Sequence, residues 1–166
     1  MALNLEIKVK LESHDPALKV LNNLKAEFVK EINQKDVYYK IPGSLLKLRI
    51  EDDGESIIKY LRDEINPDRF SDYEVVYFKS TGNEKFFNSI FETETIVEKK
   101  RLLYLYKNTR VHLDTVKDLG KFMEFETLVL DGKEDAKQRF SFLIKEFSIN
   151  TELQIKGSYR DLKLHK

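Results

Sequence analysis

Cysteine is absent from this chain of 166 residues, and no apolar run is long enough to span a membrane. Without cysteine there is no disulfide bond, no thiol nucleophile and no zinc–thiolate site. Positive charge is not in excess either, because 29 basic residues face 29 acidic ones, which argues against a general nucleic-acid binder. No charged-then-apolar signal peptide opens the sequence. We therefore expect a cytoplasmic protein with neither a membrane nor nucleic acid as its partner.

The composition is that of a soluble globular chain, with 41% hydrophobic and 35% charged residues. The length is sufficient for one domain with a hydrophobic core, and no linker, low-complexity segment or internal repeat divides it. We expect a single domain that covers residues 1–166.

Apolar and polar residues alternate along most of the chain, which is typical of half-buried strands. Helices are expected where the period changes: after Pro16, with an apolar stripe that runs on to Phe28 and Ile32, around Phe86–Phe91, and over Lys133–Phe147. The expected strands are Leu3–Glu12, Lys35–Ile41, Leu45–Glu51, Ser56–Asp63, Arg69–Lys79, Thr95–Lys107 and the two arms of a hairpin over Arg110–Glu126. About eight strands and a few helices, mostly hairpin-connected, indicate an α+β fold with a sandwich or a barrel.

The Arg110–Glu126 hairpin carries the strongest chemical signal. Arg110, His112 and Asp114 share one strand face, and Glu124 and Glu126 share a face of the next strand, because side chains two apart point the same way. If the arms pair, three carboxylates converge beside an arginine, as hard divalent cations such as Mg²⁺ or Mn²⁺ require. The alternative is a surface hairpin whose outer face is charged.

Five strands in all have one charged and one largely apolar face. The helices need apolar sheet surface to cover, which favours a barrel with apolar faces outward under the helices and charged faces around a central channel. A polyphosphate with a divalent metal would satisfy such a channel, because arginine and lysine bind phosphate oxygens and carboxylates bind the metal. The alternative is that these charges pair with one another on a wet sheet face.

The order and spacing of these motifs resemble the CYTH superfamily, the triphosphate tunnel metalloenzymes, over nearly the whole chain. Asn4-Leu5-Glu6-Ile7-Lys8 resembles the family's ExExK motif, with Asn4 in place of the first glutamate. Two basic pairs follow in the family's order, Lys47 with Arg49 and Lys99 with Arg101. The Arg110–Glu126 hairpin comes after them and is most similar to the cyclase-type members. As a whole, the chain most resembles the class IV adenylate cyclase-like and thiamine triphosphatase-like proteins. The resemblance implies an eight-stranded antiparallel β-barrel, a tunnel with a charged interior and helices packed outside.

The resemblance also implies roles for individual residues. The expected metal ligands are Glu6, Asp114, Glu124 and Glu126. The expected substrate-binding residues are Lys8, Lys10, Lys47, Arg49, Lys59, Arg62, Lys79, Lys99, Arg101 and Arg110. The expected catalytic residues are Lys8, Arg101 and Glu124. Asn4 brings an oxygen but no charge, which leaves open whether one metal ion is bound or two.

Two reactions fit such a site; the residues alone do not separate them, and the resemblance of the motifs to cyclase-type members favours the cyclase, with hydrolysis as the alternative. In one, the class IV cyclase reaction, ATP is converted to cyclic AMP and pyrophosphate; in the other, inorganic triphosphate, thiamine triphosphate or a nucleoside triphosphate is hydrolysed. Both need charge neutralisation on the phosphates and an activated oxygen nucleophile. The alternative from another class is a non-catalytic binder of polyphosphate or a nucleotide. We expect a small-molecule triphosphate substrate with Mg²⁺ or Mn²⁺ as cofactor, and a homodimer is one assembly that the sequence allows.

Overall fold

The structure is a computed structural model that describes residues 4–61 and 72–166. Eight strands form one antiparallel sheet in the order β1-β8-β7-β6-β2-β3-β4-β5, and the fold class is α+β as the sequence predicts. The strands are β1 Asn4–Leu11, β2 Glu27–Tyr39, β3 Leu45–Glu51, β4 Gly54–Leu61, β5 Asp72–Tyr77, β6 Thr93–Tyr106, β7 Thr109–Val116 and β8 Gly120–Leu128. The helices are α1 Asp15–Asn23, α2 Asn83–Asn88, α3 Lys133–Glu146 and α4 Tyr159–Leu164, and a short 3₁₀ turn covers Thr151–Leu153. No helix in the described ranges combines the length and apolarity needed to cross a membrane.

The chain divides into two compact units. Unit 1 comprises Met1–Ile32 and Lys100–Ser158, and unit 2 comprises Asn33–Lys99 and Tyr159–Lys166. The long strands β2 and β6 contribute residues to both units.

The core of unit 1 lies between its strands and two helices. One face of β1, β7 and β8 packs against α1 and α3, and the fully buried side chains include Leu113, Phe125, Leu21 and Leu143. Each such side chain stabilises the fold by about 1.5–3 kcal/mol. Because side chains alternate along a strand, the opposite face of these three strands is left for polar residues.

The core of unit 2 is smaller and more aromatic. Val37, Tyr39 and Leu48 are buried against Phe87 and Phe91, with the ring centroid of Tyr39 5.8 Å from that of Phe91. Phe87 belongs to helix α2, and a carboxylate from β4 binds backbone N–H groups at the start of this helix. Glu55 accepts hydrogen bonds from the backbone N–H groups of Gly82 and Asn83 at 2.7 and 3.0 Å.

The expected extension of the first helix to Ile32 is wrong. Helix α1 ends at Asn23, and Phe28 and Ile32 belong to β2. The helix stops in a Schellman motif: Lys25 has a φ of 53°, and the N–H of Ala26 donates to the carbonyl of Leu21 at 2.9 Å. Glycine usually occupies such a position, so a lysine there left no sequence signal for the end of the helix.

The other boundaries differ from expectation by smaller amounts. Strand β2 starts eight residues before Lys35, since it begins at Glu27. The N-cap residues of α1 and α2 are His14 and Gly82. The expected Arg69–Lys79 strand is observed over Asp72–Tyr77, and its first three residues lie outside the described part of the chain.

Candidate functional site

Charged side chains of β1, β8 and β7 lie in three cross-strand rows, on the sheet face opposite the helix-covered core. Cross-strand partners in an antiparallel pair have their Cβ atoms about 4.5–5.5 Å apart, so each row is a line of neighbours. The rows are Glu6–Glu126–Arg110, Lys8–Glu124–His112 and Lys10–Phe122–Asp114. We call these rows, together with Asn4 and Arg101, the unit 1 charged face. The hairpin prediction is confirmed, with its turn at residues 117–119 between the two strands.

Arg101 binds two carboxylates of this face. Its Nε donates to Asp114 Oδ1 at 2.7 Å, and its Nη2 donates to Asp114 Oδ2 at 2.7 Å and to Glu124 Oε2 at 3.0 Å. Asp114 is fully buried, and the paired hydrogen bonds from one guanidinium compensate for the loss of water around its charge.

The other glutamates also face cations. Lys8 Nζ lies 3.4 Å from Glu124 Oε1, and Arg110 Nη2 lies 2.9 Å from Glu126 Oε2. Glu6 is opposite Glu126 in the strand register. Like charges in that position are destabilising unless a cation lies close by.

His112 is a buried imidazole between the two glutamates, with 4% of its surface exposed. Its Nδ1 lies 3.7 Å from Glu124 Oε2 and 3.7 Å from Glu126 Oε1, which is too far for a hydrogen bond. Burial lowers the pKa of His112 below its ordinary value, helped by Arg101, although the two glutamates act in the opposite direction. The lowered pKa favours the neutral imidazole, the form in which histidine binds metals.

Unpartnered polar atoms are concentrated on this face. Within the described residues, four buried side-chain nitrogen or oxygen atoms have no hydrogen-bond partner, and three of them are Asn4 Oδ1, Arg110 Nε and His112 Nδ1. Buried polar groups are normally paired. An oxygen acceptor, a cationic donor and an imidazole nitrogen on one face suit a ligand that contains both a cation and an anion.

The donor set also fits a divalent metal. One donor atom from each of His112, Glu124 and Glu126 can be chosen so that all three lie within 4.8 Å of one another. Atoms bound to one ion at about 2.0–2.2 Å lie at most about 4.4 Å apart, so small side-chain movements would bring all three onto one ion. Asp114 is held by Arg101 and stands outside this group.

Unit 2 has a charged cluster of its own, built around Asp36. Lys47 Nζ lies 2.8 Å from Asp36 Oδ2, and Arg49 donates from Nε and Nη2 to the two carboxylate oxygens at 2.9 and 3.0 Å. Burial by itself would raise the pKa of Asp36, but Lys47, Arg49 and Lys99 hold it far below its usual range. We call these four residues the unit 2 basic cluster.

Lys99 reaches this cluster from β6. Its Nζ lies 5.1 Å from the centre of the Tyr159 ring at the start of α4, and its charge acts on Asp36. The aromatic contact orients the lysine without neutralising it, so the cluster has three cations and one carboxylate.

Two further predicted substrate residues, Lys59 and Lys79, are not brought to either cluster. Lys59 pairs with Leu46 across β3 and β4, so it lies on the sheet face opposite Lys47 and Arg49. Lys79 is exposed beyond the end of β5. Arg62 lies outside the described residues.

Sequence reasoning assigned no role to two residues that stand out in the structure, His112 and Asp36. His112 was seen only as a member of an alternating run. Asp36 lies in an aromatic-rich strand, where Gln34, Asp36 and Tyr38 alternate with more apolar neighbours. That alternation was the available signal, but the partners of Asp36 lie on the next strand, 11 and 13 residues further on.

The described chain forms an eight-stranded antiparallel sheet with helix-covered apolar faces, a charged cluster in each unit and a candidate metal site in unit 1. The CYTH domain family matches residues 2–159. The chain therefore belongs to the CYTH domain family, and the resemblance drawn from its motifs is confirmed.

The chain is also similar to individual proteins. A protein of Methanocaldococcus jannaschii named "Putative adenylate cyclase MJ0240" is 26% identical over 97% of this chain and 98% of its own length. The PH1012 protein of Pyrococcus horikoshii has the same fold, with a TM-score of 0.77 and 22% identity over 96% of this chain and 99% of its own. A Hippeastrum protein, "Putative adenylyl cyclase HpAC1", matches with a TM-score of 0.69 and 15% identity over 99% of this chain and 97% of its own. Its structure is described as revealing a dominant triphosphatase activity.

Proposed function

We propose that this protein is a metal-dependent enzyme that hydrolyses a phosphoanhydride bond of a triphosphate substrate. The observation that carries the proposal is the unit 1 charged face, where cations and carboxylates lie side by side around unpartnered polar atoms. Its balance of charge suits a metal–polyphosphate complex better than either a bare cation or a bare anion.

The cations of the unit 1 charged face are the phosphate-binding groups. In the structure, Lys8, Arg101 and Arg110 are directed at carboxylates. The oxygens of a triphosphate are negatively charged, like those of a carboxylate, and arginine can donate two hydrogen bonds to them at once. The unpartnered Nε of Arg110 is one such donor. Arg49 and Lys99 of the unit 2 basic cluster are proposed for the same role.

Glu124, Glu126 and His112 would hold the divalent cation. Glu6, Asp114 and the amide oxygen of Asn4 are further proposed ligands on the same face. When bound, the cation neutralises phosphate charge and lowers the pKa of an attacking water. Glu124 is freed for this role when Lys8 and Arg101 turn to phosphate oxygens, so triphosphate and metal should strengthen each other's binding.

In hydrolysis, the water oxygen bonds to the terminal phosphorus and the bridging P–O bond breaks, with its electron pair retained by the leaving group. The water also loses a proton, for which we assign Glu124 as the acceptor. Lys8 and Arg101 stabilise the negative charge that develops on the phosphate oxygens. These roles need only water as the second reactant.

Cyclisation of ATP is the second candidate, and the name of the Methanocaldococcus relative favours it. In that reaction the 3′-hydroxyl attacks the α-phosphorus and pyrophosphate leaves. The same cations and carboxylates serve it, but the adenosine must also be seated so that its hydroxyl reaches the phosphorus.

The test is to incubate the protein with ATP, inorganic triphosphate or thiamine triphosphate, in Mg²⁺ and in Mn²⁺, and to resolve cyclic AMP, pyrophosphate and phosphate. Phosphate released from any substrate, and lost in Arg101→Ala, supports hydrolysis. Cyclic AMP with equimolar pyrophosphate would assign the cyclase reaction instead. If all three triphosphates bind by calorimetry but none is converted, the protein is a binder and not an enzyme.

A further inference from the structure

We propose that His112 supplies an imidazole nitrogen to the metal site, and that this nitrogen makes the site select Mn²⁺ and other first-row transition ions over Mg²⁺. The proposal rests on the proposed function in that it requires a cation at Glu124 and Glu126. It goes beyond that function by naming the His112 nitrogen as a ligand beside the two carboxylates, and by naming first-row transition ions as the metals that this nitrogen favours.

The strand register holds His112 where a metal on the two glutamates would be. His112 on β7 is the cross-strand partner of Glu124 on β8, and Glu126 lies two residues further along β8. Its Nδ1 is equally distant, at 3.7 Å, from one oxygen of each glutamate. With 4% of its surface exposed, the ring cannot turn away into water.

The histidines of unit 1 differ in how their nitrogens are satisfied. His14 is also buried, and its Nε2 lies 3.2 Å from the backbone carbonyl of Asp114. His112 Nδ1 is buried without a hydrogen-bond partner in the described part of the chain. A purely structural histidine would be expected to be paired in the manner of His14, so the unpartnered nitrogen points to a ligand.

A nitrogen ligand changes which metal the site prefers. Mg²⁺ strongly favours oxygen ligands and loses bound water reluctantly, whereas imidazole suits first-row transition ions. Two carboxylates alone would accept either Mg²⁺ or Mn²⁺. An imidazole with its proton on Nε2 and its lone pair on Nδ1 adds binding energy mainly for the transition ion.

The test uses the full chain, first with Mn²⁺ alone and then with Mn²⁺ and an imido-linked, non-hydrolysable triphosphate. Electron spin-echo spectroscopy of bound Mn²⁺ detects a directly bound imidazole through its ¹⁴N coupling. Labelling the histidines with ¹⁵N should change that coupling, and this measurement needs no variant to fold. We expect a histidine coupling in the wild type, its loss in His112→Gln and its retention in His165→Gln, which alters an exposed histidine in unit 2.

The same samples give the metal preference. We expect the ratio of the Mg²⁺ to the Mn²⁺ dissociation constant to fall by about tenfold or more in His112→Gln, comparable with the loss of an outer-shell ligand partner. Saturable Mn²⁺ binding that is weakened in Glu126→Gln but shows no histidine coupling would overturn this proposal and leave the proposed function standing. No saturable Mn²⁺ site, even with the triphosphate present, would overturn the metal-dependent function and this inference together.

Discussion

The unit 1 charged face and the unit 2 basic cluster are built by the same rule and differ in their content of carboxylates. In both, alternate residues of antiparallel strands turn polar side chains away from a helix-covered core. In unit 1, Lys8, Arg101 and Arg110 are matched by three carboxylates that they contact. In unit 2, Asp36 accepts from Lys47 and Arg49, and the charge of Lys99 acts on it as well.

This difference separates two kinds of binding. Under the proposed function, the carboxylates of unit 1 would hold a metal once its cations turn to phosphate. The carboxylate of unit 2 is committed to orienting Lys47 and Arg49, because it accepts from both side chains. Under the proposed function, unit 2 would therefore bind anions alone, and unit 1 would bind an anion together with a cation.

The largest expected effect is on the free energy of unfolding. It tests whether replacing Asp36 costs more stability than replacing Asp114. Asp36→Asn leaves Lys47 and Arg49 without their shared counter-ion, and breaking a buried ion pair costs about 3–5 kcal/mol. Asp114→Asn should cost less, because Arg101 keeps its bond to Glu124. Urea denaturation at neutral pH measures both losses. Equal losses of stability in the two variants would mean that Asp36 contributes no more to the stability of the fold than Asp114 does.

The second prediction concerns acid stability and the same carboxylate. Asp36 has a folded pKa far below its usual range, so the stability it contributes is present above its unfolded pKa of about 3.9 and is lost as the pH falls below that value. The wild type should therefore lose more stability than Asp36→Asn between pH 5 and pH 2, in about 0.15 M salt. If stability falls equally with pH in the two proteins, the pKa of Asp36 is not lowered in the folded state.

The third prediction concerns phosphate binding by the two clusters. Arg49→Ala, Lys99→Ala or Arg101→Ala should weaken triphosphate binding by about 1.5–3 kcal/mol, or roughly ten- to hundredfold, through loss of a charge-assisted bond. The unit 2 variants should show this loss with or without metal, whereas the Arg101→Ala loss should depend on metal. Calorimetric titration with and without Mn²⁺ separates these cases.

A matched control for the third prediction is Lys100→Ala. Lys100 lies between Lys99 and Arg101 on β6, is exposed, and pairs with Glu31. Its loss should leave triphosphate affinity unchanged. If Lys100→Ala weakens triphosphate binding as much as the other three variants do, the cations of both clusters act through the overall charge of the protein and not through specific contacts.

The smallest expected effect is on metal affinity in unit 1. Asn4→Glu should lower the metal concentration for half-maximal activity by about fivefold, because affinity rises with ligand charge. Glu126→Gln should raise it by about as much, while Glu31→Gln, which alters an exposed carboxylate of the same unit, should leave it unmoved. If only Glu126→Gln moves the midpoint, Asn4 lies outside the metal's reach. If neither does, these carboxylates do not bind the metal.

Much of the fold could be predicted because its signals are local. The period of two in β1, β3 and the β7–β8 hairpin identified the strands. The end of α1 could not be predicted, because Lys25 takes a left-handed conformation normally found at glycine. The exposure of Phe28 was missed for the same reason, since it was placed on a helix that had already ended.

The candidate site shows the same division between local pattern and distant pairing. Alternation placed His112 and Asp114 on one face and Glu124 and Glu126 on another, and the observed register joined the two faces. No local pattern could show that Arg101 would bind Asp114, 13 residues away, or that Lys59 would pair with Leu46 and turn from Lys47.

By itself, the sequence determined which side chains share a strand face, because that depends only on the extended backbone and a period of two. It also determined the family, because the motifs keep their order and spacing. Only the tertiary structure decided which charges neutralise one another and which atoms stay unpartnered, because those outcomes depend on strand register to within one residue. The pairing of Asp36 with Lys47 and Arg49, and the unpartnered nitrogen of His112, belong to that second group.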